Sequence, residues 1–152
     1  MAINPNTDFS AGAVLLASQM DRFPRGVMAY NAVTASDTTI TTTEEVQITG
    51  SSFTAVANRY YKITYFDPGL GGGTLSGNAR IRLTNISGTV YQLQSVIVAS
   101  TGGGFVHMSA VTTLSAGATN FVATLVADSG TIQAIRSSTR YAFLLVEDIG
   151  PA

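Results

Sequence analysis

The residues able to do chemistry are few and scattered. His107 is the single histidine, set in Gly103-Gly104-Phe105-Val106-His107-Met108-Ser109. A Ser-His-Asp triad would have to use it as base, but no Gly-x-Ser-x-Gly turn is present to hold a nucleophile. It reads as an ordinary strand histidine. The pairs Glu44-Glu45 and Glu147-Asp148 could supply glycosidase acids or calcium ligands. Neighbours on one strand point to opposite faces, so neither pair converges, and no Asp-x-Asp-x-Asp loop occurs. Both pairs read as surface charges near strand ends. Gly69-Leu70-Gly71-Gly72-Gly73-Thr74 lacks the Lys-Ser/Thr of a phosphate loop, and no helix is expected after it. With Thr101-Gly102-Gly103-Gly104 it reads as an inter-strand loop. Gly71, Gly72, Gly73, Gly102, Gly103 and Gly104 are therefore candidate surface-contact positions. Tyr60, Tyr61, Tyr65, Phe66 and Tyr91 could form a sugar-stacking platform on a sheet face, or pack in the core and in subunit interfaces. No catalytic residue, cofactor or metal ion is expected, and the chain is expected not to be an enzyme.

The elements that must carry these residues are strands. Tyr61, Ile63 and Tyr65 alternate with Tyr60, Lys62 and Thr64. Phe121, Ala123 and Leu125 alternate with Val122, Thr124 and Val126. A period of two marks half-buried strands. The separators are turn signals, among them Asp67-Pro68-Gly69, Ser76-Gly77-Asn78, Ser115-Ala116-Gly117 and Asp128-Ser129-Gly130. The spacing predicts eight to ten strands over about 26-34, 38-42, 45-49, 52-56, 59-66, 79-85, 89-99, 104-115, 118-127, 131-136 and 140-147, some of them merged. An all-β fold follows, an antiparallel β-sandwich or jelly roll. No βαβ alternation points to a nucleotide-binding fold.

Composition narrows the function further. The 152 residues are 45% hydrophobic but only 11% charged, against a typical ~25% charged. Thr and Ser take the place of charge, as suits a subunit whose surface is covered by neighbours, since short hydroxyl side chains lose little entropy on assembly. Net charge is −1 with a single lysine, Lys62, so no nucleic-acid partner is expected. There is no cysteine, hence no disulfide framework or thiolate metal site. The first residues, Met1-Ala2-Ile3-Asn4-Pro5-Asn6, lack the basic and apolar regions of a signal peptide, and apolar runs such as Phe143-Leu144-Leu145-Val146 are too short to insert in a bilayer.

Residues 1–24 stand apart as an N-terminal arm before a β-sandwich domain at 25–152. The arm carries Val14, Leu15, Leu16, Met20 and Phe23, with a short helix expected from about Ala17 to Phe23 and stopped by Pro24. Such a helix is too short to persist alone and needs a surface to pack on. That surface is either the chain's own domain or a neighbour, and the five apolar residues are the candidate assembly set.

Ala11-Gly12-x-Val14-Leu15-x-Ala17-x-x-Met20-x-x-x-Pro24-Arg25-Gly26-Val27 resembles the start of small β-domains of tailed-bacteriophage virions, the minor tail or fibre-like proteins common in phages of actinobacteria. Those usually carry a capping Thr and an acidic residue where this chain has Leu16 and Gln19. Val56-Ala57-Asn58-Arg59-Tyr60-Tyr61-Lys62-Ile63-Thr64 resembles a recurrent internal strand of that group, and Leu144-Leu145-Val146-Glu147-Asp148-Ile149-Gly150-Pro151 its ending. The resemblance implies a non-enzymatic virion structural protein, made in a host cytoplasm, that assembles as a homotrimer and with other virion proteins of the tail. A stand-alone sandwich with an arm also resembles a capsid decoration (cement) protein. A receptor module for a host surface glycan is the further alternative.

Overall fold

β-Branched and aromatic residues at alternate positions form strands because each strand can turn one row of them inward and leave the other outward. The computed structural model describes residues 12, 14, 16–73, 75–98 and 103–152, with the backbone alone of Ser18. Leu15 and Gly102, two of the candidate contact residues, lie outside the described residues. Among those described there are one short helix, α1 (Ala17–Met20), and twelve strands: β1 (Gly26–Val33), β2 (Asp37–Ile40), β3 (Glu45–Thr49), β4 (Phe53–Ala55), β5 (Arg59–Gly71), β6 (Leu75–Leu83), β7 (Val90–Val98), β8 (Gly104–Thr113), β9 (Gly117–Thr119), β10 (Phe121–Ala127), β11 (Ile132–Ala134) and β12 (Ala142–Pro151).

They build the expected all-β sandwich of antiparallel sheets. One sheet runs β1-β12-β5-β11-β2, with β8 also paired to β5; the other runs β3-β10-β6-β7; β4 and β9 form a small ribbon. β8 holds one edge of β5 from Tyr60 to Leu70, while on the other edge β12 pairs residues 59–66 and β11 takes over at Leu70 and Gly71. Tyr61, Ile63 and Tyr65 from β5 and Ile81, Phe121, Ala123 and Leu125 from the second sheet are all fully buried in one core.

Four local expectations change. The helix ends at Met20 rather than Phe23; the chain closes there in tighter turns, with Arg22 N donating to Gln19 O and Phe23 N to Met20 O. The span 118–127 divides at Asn120, because β9 pairs with β4 whereas β10 enters the second sheet between β3 and β6. Asp67-Pro68-Gly69 is a bulge inside β5, not a turn. Asp67 faces Val106 and Leu70 faces Gly104, so β5 carries one extra residue there, where a proline with no N–H to give disturbs pairing least. Ser76-Gly77-Asn78 likewise lies within β6. Gly77 is there for space: a Cβ would strike the Val126 carbonyl and come within 2.7 Å of Ile132 Cδ1.

Gly77→Ala is therefore expected to destabilise the fold by about 1–3 kcal/mol through overpacking, read as a lower urea midpoint with unchanged slope; Gly73→Ala, with open space around its Cβ but φ at +102°, is expected to cost less.

Candidate functional site

β5 is the axis on which the candidate contact residues are set. Arg59 starts it and Gly71 ends it, so at about 3.3 Å per residue its ends lie roughly 40 Å apart. The arm meets the sandwich at the first end. The two glycine segments meet at the second, since Gly104 faces Leu70 across the β5–β8 ladder. Gly71 is buried in the strand, whereas Gly72, Gly73 and Gly103 are exposed. Gly72 has φ +117° and a Cβ there would lie 2.5 Å from Thr131 O, so this bend admits only glycine.

At the arm end, a buried ion pair grips the backbone. Arg59 donates from Nε to Asp148 Oδ2 at 2.5 Å and from Nη2 to Asp148 Oδ1 at 2.8 Å. Its remaining donors reach across to the arm: Nη1 to Asp21 O at 2.5 Å and Nη2 to Phe23 O at 2.6 Å. Gly150 N also donates to Asp148 Oδ1. Arg59 is 4% and Asp148 1% exposed. The planar fork of a guanidinium suits this double duty, bidentate to a carboxylate and still able to donate sideways. The Asp148 hydrogen bonds hold Arg59 more firmly protonated than usual.

The arm is thus fastened by main-chain carbonyls, while the side chains of Val14, Leu16 and Met20 stay more than half exposed. Val14 is 85% exposed, Leu16 61%, Met20 54% and Phe23 36%. Within α1, Gln19 Oε1 accepts from Leu16 N at 2.9 Å, the return half of a capping box whose other half a leucine cannot supply. A hollow of about 470 Å3, lined by Ala57, Asn58, Thr113, Leu114, Ser115 and Ala152, opens at the same end.

Glu147 and Asp148 split between faces as strand geometry requires, but three of the four carboxylates are not the solvated charges expected; burial, with the nearby Asp37 charge, pushes the Glu45 carboxyl up. Glu147 stands outside, 3.9 Å from Lys62, while Asp148 is the buried partner of Arg59. Glu44 lies over the outer face of the second sheet, hydrogen bonded by Arg80, by Arg82 through two nitrogens, and by Thr124 Oγ1. Burial pushes its carboxyl up, but the hydrogen bonds from Arg82 and Thr124 and the charges of Arg80 and Arg82 outweigh that and hold it below the usual range. A second buried group crosses the sandwich. Arg136 binds Asp67 of β5 and donates to Gln47 Oε1 of β3 at 2.7 Å, and Tyr65 donates to Asp67 Oδ2 at 3.0 Å. Burial and the Asp67 charge push the Tyr65 phenol well above its ordinary value. These groups tie elements together. Among the described residues there is no group of three or more His, Cys, Asp or Glu placed to hold a metal ion.

The five aromatics singled out in sequence do not share a face. Tyr61 and Tyr65 are core, and Tyr91 packs edge-on against Phe121 in the other half of the sandwich. Phe66 instead joins Phe143 and Tyr30, which the sequence did not single out, and His107, which stood out only as a possible base. Phe143 faces it on β12 and His107 on β8, with ring centroids 5.5 Å and 6.0 Å away, and Tyr30 of β1 lies 6.2 Å from Phe143. Register between distant strands creates this row, so local periodicity carries no trace of it.

No protein-family model matches the chain, and no curated protein matches it in sequence. Among solved structures, a chain of the disulfide-linked pili of Bacillus endospore appendages is similar at 10% identity, covering 82% of this chain and 90% of that one, with a TM-score of 0.44. The CBM22-1 xylan-binding domain of Paenibacillus barcinonensis Xyn10C is similar at 10% identity over 86% of this chain and 99% of that one, TM-score 0.39. A chain of infectious bursal disease virus, Gx strain, is similar at 15% identity over 85% and 38%, TM-score 0.35. Scores this low carry no argument about what the chain does.

Asp148→Asn is expected to cost about 3–5 kcal/mol by leaving the buried Arg59 charge unbalanced, a fall in Tm of roughly 10 °C, and to speed tryptic cleavage after Arg22 and Arg25 as the arm loosens. Glu44 gives a pH test. Its carboxyl is lowered in the folded state from an unfolded value near 4.5, so its contribution is whole above that pH and is lost as pH falls through the lower, folded value. Glu44→Gln is expected to shrink the loss of stability in that acid window, measured as the urea midpoint against pH.

Proposed function

We propose that this chain is a non-enzymatic structural subunit of a tailed-phage virion, a minor tail or fibre-like protein. In this reading it assembles as a homotrimer and joins neighbouring virion proteins through its N-terminal arm. The observation that carries the reading is the arm itself. Its root is fastened to the sandwich by Arg59, yet Val14, Leu16 and Met20 stay more than half exposed. Isolated exposed apolar residues are common on protein surfaces, but several on one short segment mark a contact surface. What supports the phage assignment is the resemblance of both ends and of the 56–64 segment to virion β-domains. The separation of the arm from the glycine-rich bends by the length of β5 suits a subunit held at one end and presenting the other. A capsid decoration protein would use the same arm, and the location on the particle decides between them.

Replacing Val14, Leu16 and Met20 together by Ser in the full chain is expected to leave the circular dichroism spectrum unchanged and to lower Tm only slightly, because these side chains stay more than half exposed within the chain. Each apolar side chain buried on docking is worth roughly 1.5–3 kcal/mol, so loss of all three is expected to reduce incorporation into particles at least a hundredfold by immunoblot of purified virions. Gold-labelled antibody against the wild-type chain is expected at the tail. Label on the head would favour the decoration reading, and undiminished incorporation of the triple variant would remove the arm from the attachment site.

A further inference from the structure

The outer face of the first sheet carries a groove that attachment through the arm does not use. Its floor is Phe66 on β5 and Phe143 on β12, directly opposite in register and tilted 36° to one another. Its walls are Pro68, where the β5 bulge lifts the strand, and Thr139, Arg140 and Tyr141, which lead into β12. The groove has a volume of about 370 Å3, the size of a small-ligand cleft. Two fixed features shape it. Ser137 and Arg140 exchange backbone hydrogen bonds, closing the turn. Arg140 Nη2 donates to Pro68 O at 3.1 Å, laying the guanidinium across Gly69, where any Cβ would collide with it. The wall is therefore built in advance of any ligand.

The floor continues as a line of rings across four strands. From Tyr30 through Phe143 and Phe66 to His107 the successive centroid separations are 6.2, 5.5 and 6.0 Å. Tyr30 is 49% and Tyr141 41% exposed. Polar groups border the line: the Tyr30 and Tyr141 hydroxyls, the His107 imidazole, the Arg140 guanidinium and Thr139, and one residue row away the Thr64–Ser109 hydroxyl pair at 3.1 Å. An aliphatic ligand would match the rings and leave this polar border facing nothing. A nucleic acid would need a cationic track for its phosphates, and the chain has net charge −1. A pyranose ring matches both parts. One of its faces is a patch of C–H bonds, polarised by the ring oxygens, that packs on the electron-rich face of an aromatic ring. Its equatorial hydroxyls point outward to the donors and acceptors of the border.

We infer that the groove between Pro68 and the Thr139–Tyr141 segment, extended by the Tyr30–Phe143–Phe66–His107 row, is a saccharide-binding site that takes a chain of pyranose units lying across the strands. It stands independently of the arm, so it survives or fails whatever becomes of the attachment reading.

The test uses the full chain on an array of bacterial cell-envelope polysaccharides together with xylan, cellulose and galactan oligomers, followed by titration calorimetry with whichever oligomer gives signal. Binding is expected, and the exposed-position double variant His107→Ala/Tyr141→Ser is expected to weaken it at least tenfold with unchanged Tm. Phe66→Leu, which keeps the apolar bulk but removes the ring, is expected to weaken it similarly. Ile97→Ser, an exposed change on the other sheet, is expected to leave it unaltered. Absence of binding to every saccharide, or binding that all three groove substitutions leave intact, overturns the inference. So does a change in sedimentation coefficient on Phe66→Leu without any saccharide binding, which would make this face a contact between copies of the chain.

Discussion

Everything in this molecule is hung on the two-sided hydrogen bonding of β5. A strand paired along both edges cannot slip by one residue without moving Tyr61, Ile63 and Tyr65 from the core to the outer face, and these three are among its fully buried side chains. Fixing β5 fixes β12 and β8 beside it, and through β12 the position of β1. The buried Arg59–Asp148 pair joins the first residue of β5 to its neighbour β12 at the point where the arm arrives. A hydrophobic pair of the same size could have served stability as well, but it could not have offered spare donors to the Asp21 and Phe23 carbonyls.

The two sheets are coupled by polar as well as apolar contacts. Arg136, Asp67, Gln47 and Tyr65 link the segment just after β11, the β5 bulge and β3 in one buried group. The bulge at Asp67-Pro68-Gly69 thus does two things at once. It turns Asp67 into that group, and it raises Pro68 on the opposite face as the wall of the aromatic groove.

Strand positions and the inward rows were legible in the sequence, because alternation is a local signal and the chain is rich in β-branched residues. The spans at 45–49 and 59–66 and the β-sandwich class follow from it directly. Glycine and proline were less legible. At 67–69 and 76–78 they mark a bulge and a close approach between strands, and both uses leave the same letters as a turn. Asp148 and Glu44 read as surface charges because their arginine partners lie far away in sequence, at 59, 80 and 82. The aromatic row was legible only in part: Phe66 and His107 stood out singly, but Tyr30, Phe66, His107 and Phe143 come from four strands and meet only through register. The arm's apolar set was visible, but that its backbone would be tied by Arg59 while Val14, Leu16 and Met20 stayed more than half exposed was not.

The placement of the arm has a mechanical consequence. β1 follows the arm covalently and begins at Gly26, opposite Asp148, at the same end as Arg59. Tension applied through the arm and resisted at the glycine-rich end runs parallel to β1, β12 and β5. Antiparallel ladder hydrogen bonds lie perpendicular to the strands, so such a pull loads the bonds between β1 and β12 together, in shear, rather than opening them one after another like a zipper. The Arg59 fork adds a parallel path that carries load from the arm straight to β5. A subunit wired this way resists being drawn out along its long axis far better than being peeled from its edge.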